Sequence, residues 1–480
     1  MSDQPNANLI KEHLLQLKCH FTWDLKIEDI EMPDLENRIF DQTEFLDNPC
    51  KTAMGNLLAY VKYLEGKNQE ALESLKEAED FIQQEYADQA DVKSLVTWGN
   101  YAWLYYHMGR LAEAQTYLDK VEKTCKKLAS PFSHRIECPE LDCEEGWALM
   151  KCGGLNYERA QACFKRAVGS DPEKPEYNTG YAIITYRLNN IKRTGNTLDP
   201  LKRACRLDPE NMYVKVLLGL CLQDVGQEDE GEQYIEEALA SKSSHTYILR
   251  YAAKFYRRKG SAEKALRLLK RALKDTPTSV LLHHQIGLCL KGQIIQQKKG
   301  SHWQRRWQNQ EDIAEMAKLA ITHLELALKY KPTFILAYRN LAEIYVEIGE
   351  YSKAEDTYQK ALHLPMESLT KEEQQQLHYH YGQFQEFKMK SDVDAITHFL
   401  KTVKIEKASY LRDQSLSALE KHALKKLQKN ESDVEGLSLL GFVQKQKGET
   451  DKALESYERA LSVAIDSMIS VELGPTKQQS

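Results

Sequence analysis

Phe334 to Pro365 reads FILAYRNLAEIYVEIGEYSKAEDTYQKALHLP. Tyr338, Leu341, Ala342 and Tyr345 recur at helical spacing, Gly349 interrupts them, and Ala354, Tyr358 and Ala361 resume the period beyond it. The pattern predicts two antiparallel helices joined by a tight turn. The small Ala342 and Ala354 let the helices approach, the larger residues fill the space around them, and Gly349 ends the first helix. Such a pair buries its apolar face only against neighbouring pairs, so further copies are required.

The copies are present. Ala253, Tyr256, Ala265, Leu269, Ala272 and Pro277 repeat the offsets, as do Gly219, Leu222, Gly226, Gly231, Ile235 and Ala238. Ala59, Gly66, Ala71, Leu75 and Ala78 open the series, followed by Trp98, Ala102, Tyr105, Ala114 and Leu118; Leu440, Gly441, Gly448, Ala453, Tyr457 and Ala460 close it. Less regular copies fall at about 141–174, 175–210 and 377–404. This is the tetratricopeptide-type helix-turn-helix pattern, a unit of about 34 residues. The fold class is all-α, a superhelical solenoid of about nine or ten such repeats bent into subdomains. The sequence divides into an N-terminal helical segment (1–55), N-terminal repeats (56–245), central repeats (246–404) with a loop insertion at about 291–315, a C-terminal repeat region (405–467) and a disordered tail (468–480). The insertion carries Trp303, Arg305, Arg306 and Trp307, which suit a nucleic-acid arm or a flexible loop.

The 480 residues carry a net charge of -6, with 28% charged and 42% hydrophobic side chains, a balance that reads as folded and helix-rich. The N-terminus lacks a basic start followed by an apolar core, and no run approaches the ~20 apolar residues of a membrane span. A cytoplasmic protein with reduced cysteines is expected. Cys138, Cys143, Cys152 and Cys163 lie near one another in sequence but form no CxxC pair and have no histidine at ligand spacing, so no metal is expected. No phosphate loop, nucleophile elbow or HExxH motif is present; neither catalytic residues nor a cofactor are expected.

Charge is distributed unevenly. From Lys242 to Asp275 eleven Lys or Arg face only Glu263 and Asp275, a local +9 that leaves -15 for the rest of the chain. At its centre, Thr246–Lys259 (TYILRYAAKFYRRK) interleaves Arg250, Lys254, Arg257 and Arg258 with Tyr247, Tyr251, Phe255 and Tyr256. With Ala253 as the packing residue, Tyr247, Arg250, Lys254, Arg257 and Arg258 take the inward positions of the first helix of the pair. The same offsets select Tyr213 and Leu220, then His284, and upstream Glu176, Ile183, Tyr186 and Arg187; Trp147, Met150 and Lys151 share a helix face. Cations neutralise phosphates and aromatic rings stack on bases, so this set suits single-stranded nucleic acid, and the acidic remainder disfavours duplex DNA. Taken singly, Trp147, Tyr247 and Tyr256 fit the core better than a ligand face. The alternative function is a scaffold that binds protein or peptide partners in the concave groove.

Several longer strings carry a resemblance: CHFTW (Cys19–Trp23), SLVTWGNYAW (Ser94–Trp103), HMGRLAEAQTYLDKVE (His107–Glu122), ECPELDCEEGWAL (Glu137–Leu149), RYAAKFYRRKGS (Arg250–Ser261) and HHQIGLC (His283–Cys289). They resemble the interferon-induced proteins with tetratricopeptide repeats, and MPDLENR (Met32–Arg38) looks closest to the first, cap-binding member or its near paralogue. The resemblance implies a cytosolic antiviral effector that holds the 5′ end of foreign single-stranded RNA, bearing a triphosphate or a cap lacking 2′-O-methylation, in a basic tunnel and blocks its translation. It implies a triphosphate clamp of Arg38, Gln42, Lys151 and Arg187, and a cap pocket of Trp147, Met150, Ile183, Asn48, Tyr157 and Asn211. It further implies nucleotide contacts from Glu176, Tyr213, Arg250, Tyr251, His284 and Gln285, beside the inward Tyr247, Lys254 and Arg257. Asn48 stands where the cap-binding member has threonine and Met150 where it has leucine. Tyr457 and Leu461 match the family's YxxxL association motif, and they are also repeat packing positions; the motif implies a homo-oligomer or a hetero-complex with related members.

Overall fold

The computed structural model describes residues 3–27, 35, 39, 48–192, 196–241, 246–300 and 306–472, and no strand occurs among them. The helices fall into two units, residues 1–255 and 256–480. The first holds α1 (Asp3–Leu14), α2 (Asn48–Leu64), α3 (Asn68–Glu85), α4 (Ala90–Lys93), α5 (Leu95–His107), α6 (Leu111–Lys127), α7 (Pro139–Lys151), α8 (Tyr157–Ser170), α9 (Pro175–Lys192), α10 (Leu198–Leu207), α11 (Met212–Asp224) and α12 (Glu228–Ala240). The division falls inside α13 (Thr246–Arg258). The second unit continues with α14 (Ala262–Asp275), α15 (Val280–Gly300), α16 (Arg306–Tyr330), α17 (Ile335–Glu347), α18 (Tyr351–Leu362), α19 (Lys371–Phe384), α20 (Asp392–Lys404), α21 (Tyr410–Lys429), α22 (Val434–Gln446) and α23 (Thr450–Glu472).

In the first unit α2 pairs with α3, α5 with α6, α7 with α8, α9 with α10 and α11 with α12; in the second, α15 pairs with α16, α17 with α18, α19 with α20 and α22 with α23. The cause is the small residue of each first helix. Phe164 of α8 wedges between Gly146 of α7 and Gly180 of α9, so close that a Cβ on Gly180 would lie 2.2 Å from the ring. Gly287 meets Leu324, Gly382 meets Phe399 and Gly441 meets Tyr457 in the same relation. Where both helices offer glycine, the backbones touch: a Cβ on Gly219 would stand 2.7 Å from the Gly231 carbonyl oxygen. In the stretch that fixed the repeat, Ala342, Ala354 and Ala361 are fully buried, Tyr338 and Tyr345 pack on them, and Gly349 turns the chain at φ +83°.

The N-terminal segment is tied to the first unit by specific bonds. Trp103 Nε1 donates to the Leu14 carbonyl at 3.1 Å, Asn156 exchanges two bonds with the Lys26 backbone, and Arg159 donates to the carbonyls of Trp23 and Asp24.

Two expectations change. The insertion at about 291–315 is not a loop over its described length: Lys291–Gly300 extends α15 and Arg306 onward extends α16, because Ile294 continues the buried face of α15 and no proline or turn glycine interrupts it. Residues 301–305, with Trp303 and Arg305, and the side chains of Arg306 and Trp307 lie outside the described residues. At the other end α23 continues to Glu472, beyond the expected end at 467; residues 473–480 lie outside the described residues.

Candidate nucleic-acid interface

Three helices of the first unit, α7, α9 and α11, with the part of α13 up to Phe255, bring most of the selected residues together. Arg187 of α9 reaches back to α7, where Nη1 donates to the Met150 carbonyl at 3.5 Å. Burial opposes its charge, but the Tyr213, Tyr157 and Tyr251 hydroxyls around it hold the guanidinium above its ordinary pKa. On α13 the Arg250 guanidinium lies over two rings, 4.8 Å from the Tyr247 centroid and 4.7 Å from that of Tyr251. Tyr213 from α11 completes the group, its ring 5.7 Å from Tyr251 and 6.1 Å from Tyr247. Its buried hydroxyl sits beside Arg187 without a well-formed hydrogen bond.

The electrostatics follow from this arrangement. Burial pushes the Tyr251 hydroxyl up, yet Arg250, Arg187, Tyr213 and Lys254 together pull it down to about 8. Among the described residues, the groups that most raise the charge of the two guanidiniums are tyrosine hydroxyls, and their rings offer flat surfaces beside the cations.

Around this centre the other residues take different parts. Trp147 is 3% exposed and Lys151 5% exposed, while Met150 and Ile183 are fully covered. The Trp147 ring meets Phe164 edge-on at 5.3 Å, and its Nε1 is buried without a hydrogen-bond partner among the described residues. Stacking on a base therefore requires neighbouring side chains to withdraw from one indole face. Asn211 is a helix cap: its Oδ1 accepts from the Val214 N–H at 3.1 Å and its Nδ2 donates to Asp208. Glu176 accepts from the Cys143 thiol at 3.7 Å.

Arg257, His284 and Gln285 belong to the second unit. Burial, with the charges of Lys291 and Arg257, pulls His284 down to about 4, and its Nε2 lies 3.0 Å from Asn340 Nδ2, so the ring is neutral and accepts. Arg257 is pulled below its ordinary pKa by burial, and its Nε lacks a partner among the described residues. Phe255 and Tyr256 are buried, as the repeat register requires. Arg38, Gln42 and the side chain of Asn48 lie outside the described residues. Within the association motif the two residues separate: Tyr457 packs over Gly441, whereas Leu461 is 62% exposed, with Leu454 seven residues earlier at 58%.

Sequence reasoning passed over Glu144. It stands one turn before Trp147 on α7 and accepts from Asn56 Nδ2 at 2.8 Å. The signal was the spacing itself, a glutamate three residues before the tryptophan and hence on its helix face. The four clustered cysteines are free thiols, and among the described residues no group of three His, Cys, Asp or Glu is placed to hold a metal ion. Among the same residues no helix is long and apolar enough to cross a membrane.

The tetratricopeptide repeat pattern matches residues 337–372, and a second such pattern matches 95–127 and 434–464. The human antiviral innate immune response effector IFIT1 is 59% identical over 480 residues, covering 99% of this chain and 100% of that protein. The chain belongs to the interferon-induced proteins with tetratricopeptide repeats. A solved human IFIT1 dimer with m7Gppp-AAAA is 58% identical to this family member, with a TM-score of 0.81, covering 95% of this chain and 99% of the other. Another, with PPP-AAAA, is 57% identical with a TM-score of 0.79 and the same coverage.

Proposed function

We propose that this protein captures the 5′ end of foreign single-stranded RNA, bearing a triphosphate or a cap without 2′-O-methylation, and so blocks its translation in the cytosol. It acts by sequestration, without catalysis. The observation that carries the reading is the Arg187–Arg250 pair set among Tyr213, Tyr247 and Tyr251, with buried Lys151 on the adjoining helix. A 5′ triphosphate concentrates negative charge in a small volume and needs convergent cations, whereas the nucleotides that follow need flat rings. Trp147 supplies the indole for a methylguanine, which is cationic and favours an electron-rich face. Arg38, Gln42 and Lys151 join Arg187 at the triphosphate; Asn48, Met150, Ile183, Tyr157 and Asn211 surround the cap. In the first unit Glu176 and Lys254 meet the cap bridge and first nucleotides; Arg257, His284 and Gln285 are the second unit's own candidates for nucleotide contact. Rejection of a 2′-O-methyl group follows from close packing at the first ribose. Leu461, with Leu454, is the surface for association with a second copy or a related family member.

The test is binding of 5′-triphosphate and 5′-hydroxyl RNA of one sequence to the wild type and Arg187→Ala. Loss of Arg187 is expected to remove about 1.5–3 kcal/mol from triphosphate binding and to flatten its salt dependence. Equal affinity of the wild type for the two RNAs would reject the reading.

A further inference from the structure

Beside Trp147 lies a cavity of about 30 Å³ that the reading above leaves unexplained. It has room for one water, and its wall is charged: Glu140 and Glu144 from α7, Glu176 from α9, and Lys93 from α4. Trp147 Nε1 and Thr52 Oγ1, both on that wall, are buried with no hydrogen-bond partner among the described residues, and so is Asn56 Oδ1 behind Glu144. Thr52 is 6% exposed. Buried polar atoms are ordinarily paired, so this cluster is poised for a change of charge or occupancy that the packing of the repeat does not require.

We propose that Glu144 is the counter-charge for a cationic base stacked on Trp147, so that capture of an N7-methylated cap is coupled to loss of a proton from Glu144 and is favoured over capture of an unmethylated one. The inference rests on the 5′-end reading and extends it to the chemical form of the cap. The balance is simple: the Glu144 carboxylic acid gives its proton to solvent, the carboxylate remains, and no bond to the RNA is made. Methylation at N7 makes guanine positive, while unmethylated guanine is neutral, so only the former gains from the ionised carboxyl.

The surroundings support a titrating group. Although Glu144 as a residue is only half-buried, burial of its carboxyl pushes it up to about 7; the Asn56 hydrogen bond and Lys93 oppose that rise, and Glu176 adds to it. The other groups facing it are Glu140 and Tyr86 across the cavity and the buried Cys19 thiol, itself raised in part by Glu144. From pH 6 to pH 8 the ionised fraction of such a group rises about tenfold.

The experiment measures binding of m7Gppp-capped and Gppp-capped RNA, neither 2′-O-methylated, at pH 6, 7 and 8 by fluorescence anisotropy. The full-length wild type, Glu144→Gln and Glu140→Gln are compared. Divided by the same ratio in Glu144→Gln, the affinity ratio of m7Gppp to Gppp RNA is expected to rise severalfold from pH 6 to 8 in the wild type and in Glu140→Gln. The methylguanine's own titration is common to all three proteins and cancels between them. The same ratio profile in wild type and Glu144→Gln overturns the proposal while leaving cap capture intact. Should Glu144→Gln fail to fold, as judged by helical circular dichroism, Glu144→Ala takes its place as the reference, and the same ratio profile in it and the wild type overturns the proposal. If neither capped RNA binds at any pH while triphosphate RNA does, the cap reading fails and this inference with it.

Discussion

A Cβ on Gly180 would lie 2.2 Å from Cε1 of Phe164, so these two residues fix the separation of α8 and α9. Phe164 in turn meets Trp147 edge-on, which ties the indole proposed for the cap to a packing contact. Gly180→Ala is expected to cost about 1–3 kcal/mol through overpacking, despite the better helix propensity of alanine. Denaturant unfolding measures it, and a midpoint equal to the wild type would show that the ring moves aside freely.

Tyr251 makes a second prediction. Held near 8 by the adjacent arginines, its hydroxyl ionises about two units below free tyrosine at 10. The phenolate then neutralises cation charge within the site. Affinity for triphosphate RNA is expected to fall severalfold as the pH rises from 7 to 9, and Tyr251→Phe to remove most of that fall. An ultraviolet titration near 295 nm should show a tyrosinate step around pH 8 that Tyr251→Phe lacks; an identical titration in both proteins would contradict it.

Histidine pairs in the second unit set an acid limit on stability. His378 and His398 face each other Nδ1 to Nδ1 at 3.1 Å, and His283 and His323 at 2.8 Å, each pair joining the two helices of one repeat. Burial, with neighbouring charges, holds His323, His378 and His398 near 4 instead of 6.5. Between these values the unfolded chain binds more protons, so stability is intact above about pH 6.5 and is lost as the pH falls toward 4. The loss at pH 5 is expected to reach up to roughly 2 kcal/mol per histidine. Urea midpoints at pH 7.5, 6 and 5 measure it, and His398→Asn should flatten the slope; constant midpoints would contradict the account.

The association motif should divide under mutation. Tyr457→Ala opens a cavity over Gly441 and is expected to destabilise α22 and α23 by about 3 kcal/mol. Leu461→Glu, at an exposed position, should change stability by under about 0.5 kcal/mol while shifting sedimentation toward the monomer. Equal effects on melting from both substitutions would refute the division.

The sequence made the repeat legible because helix pairing is written in small residues at fixed offsets, and Ala342, Ala354 and Gly441 sit where those offsets put them. The clustering of Arg250 with Tyr247 and Tyr251 was legible for a related reason: residues 247, 250, 251 and 254 are three or four apart and so share one stripe of α13. Burial was not. Trp147 and Lys151 share a helix face by spacing, but only the packing of α7 against its neighbours shows how deeply both are covered. Glu144 escaped because a glutamate before a tryptophan reads as solvated surface until Asn56, from a helix nearly ninety residues away, is brought against it. The insertion after Gly287 was misjudged because its polar composition suggested a loop, whereas Ile294 carries the helix on.

Asn211 has a further consequence. Its side chain holds down the first turn of α11 through Val214 and Asp208, and Tyr213 rises from that same turn. On the proposed reading, an RNA atom that competes for the Asn211 amide would loosen the mount on which Tyr213 stands, and the ligand would tune the aromatic wall proposed to receive it. Replacing Asn211 would therefore alter recognition twice, once through a missing contact and once through a ring that no longer keeps its place.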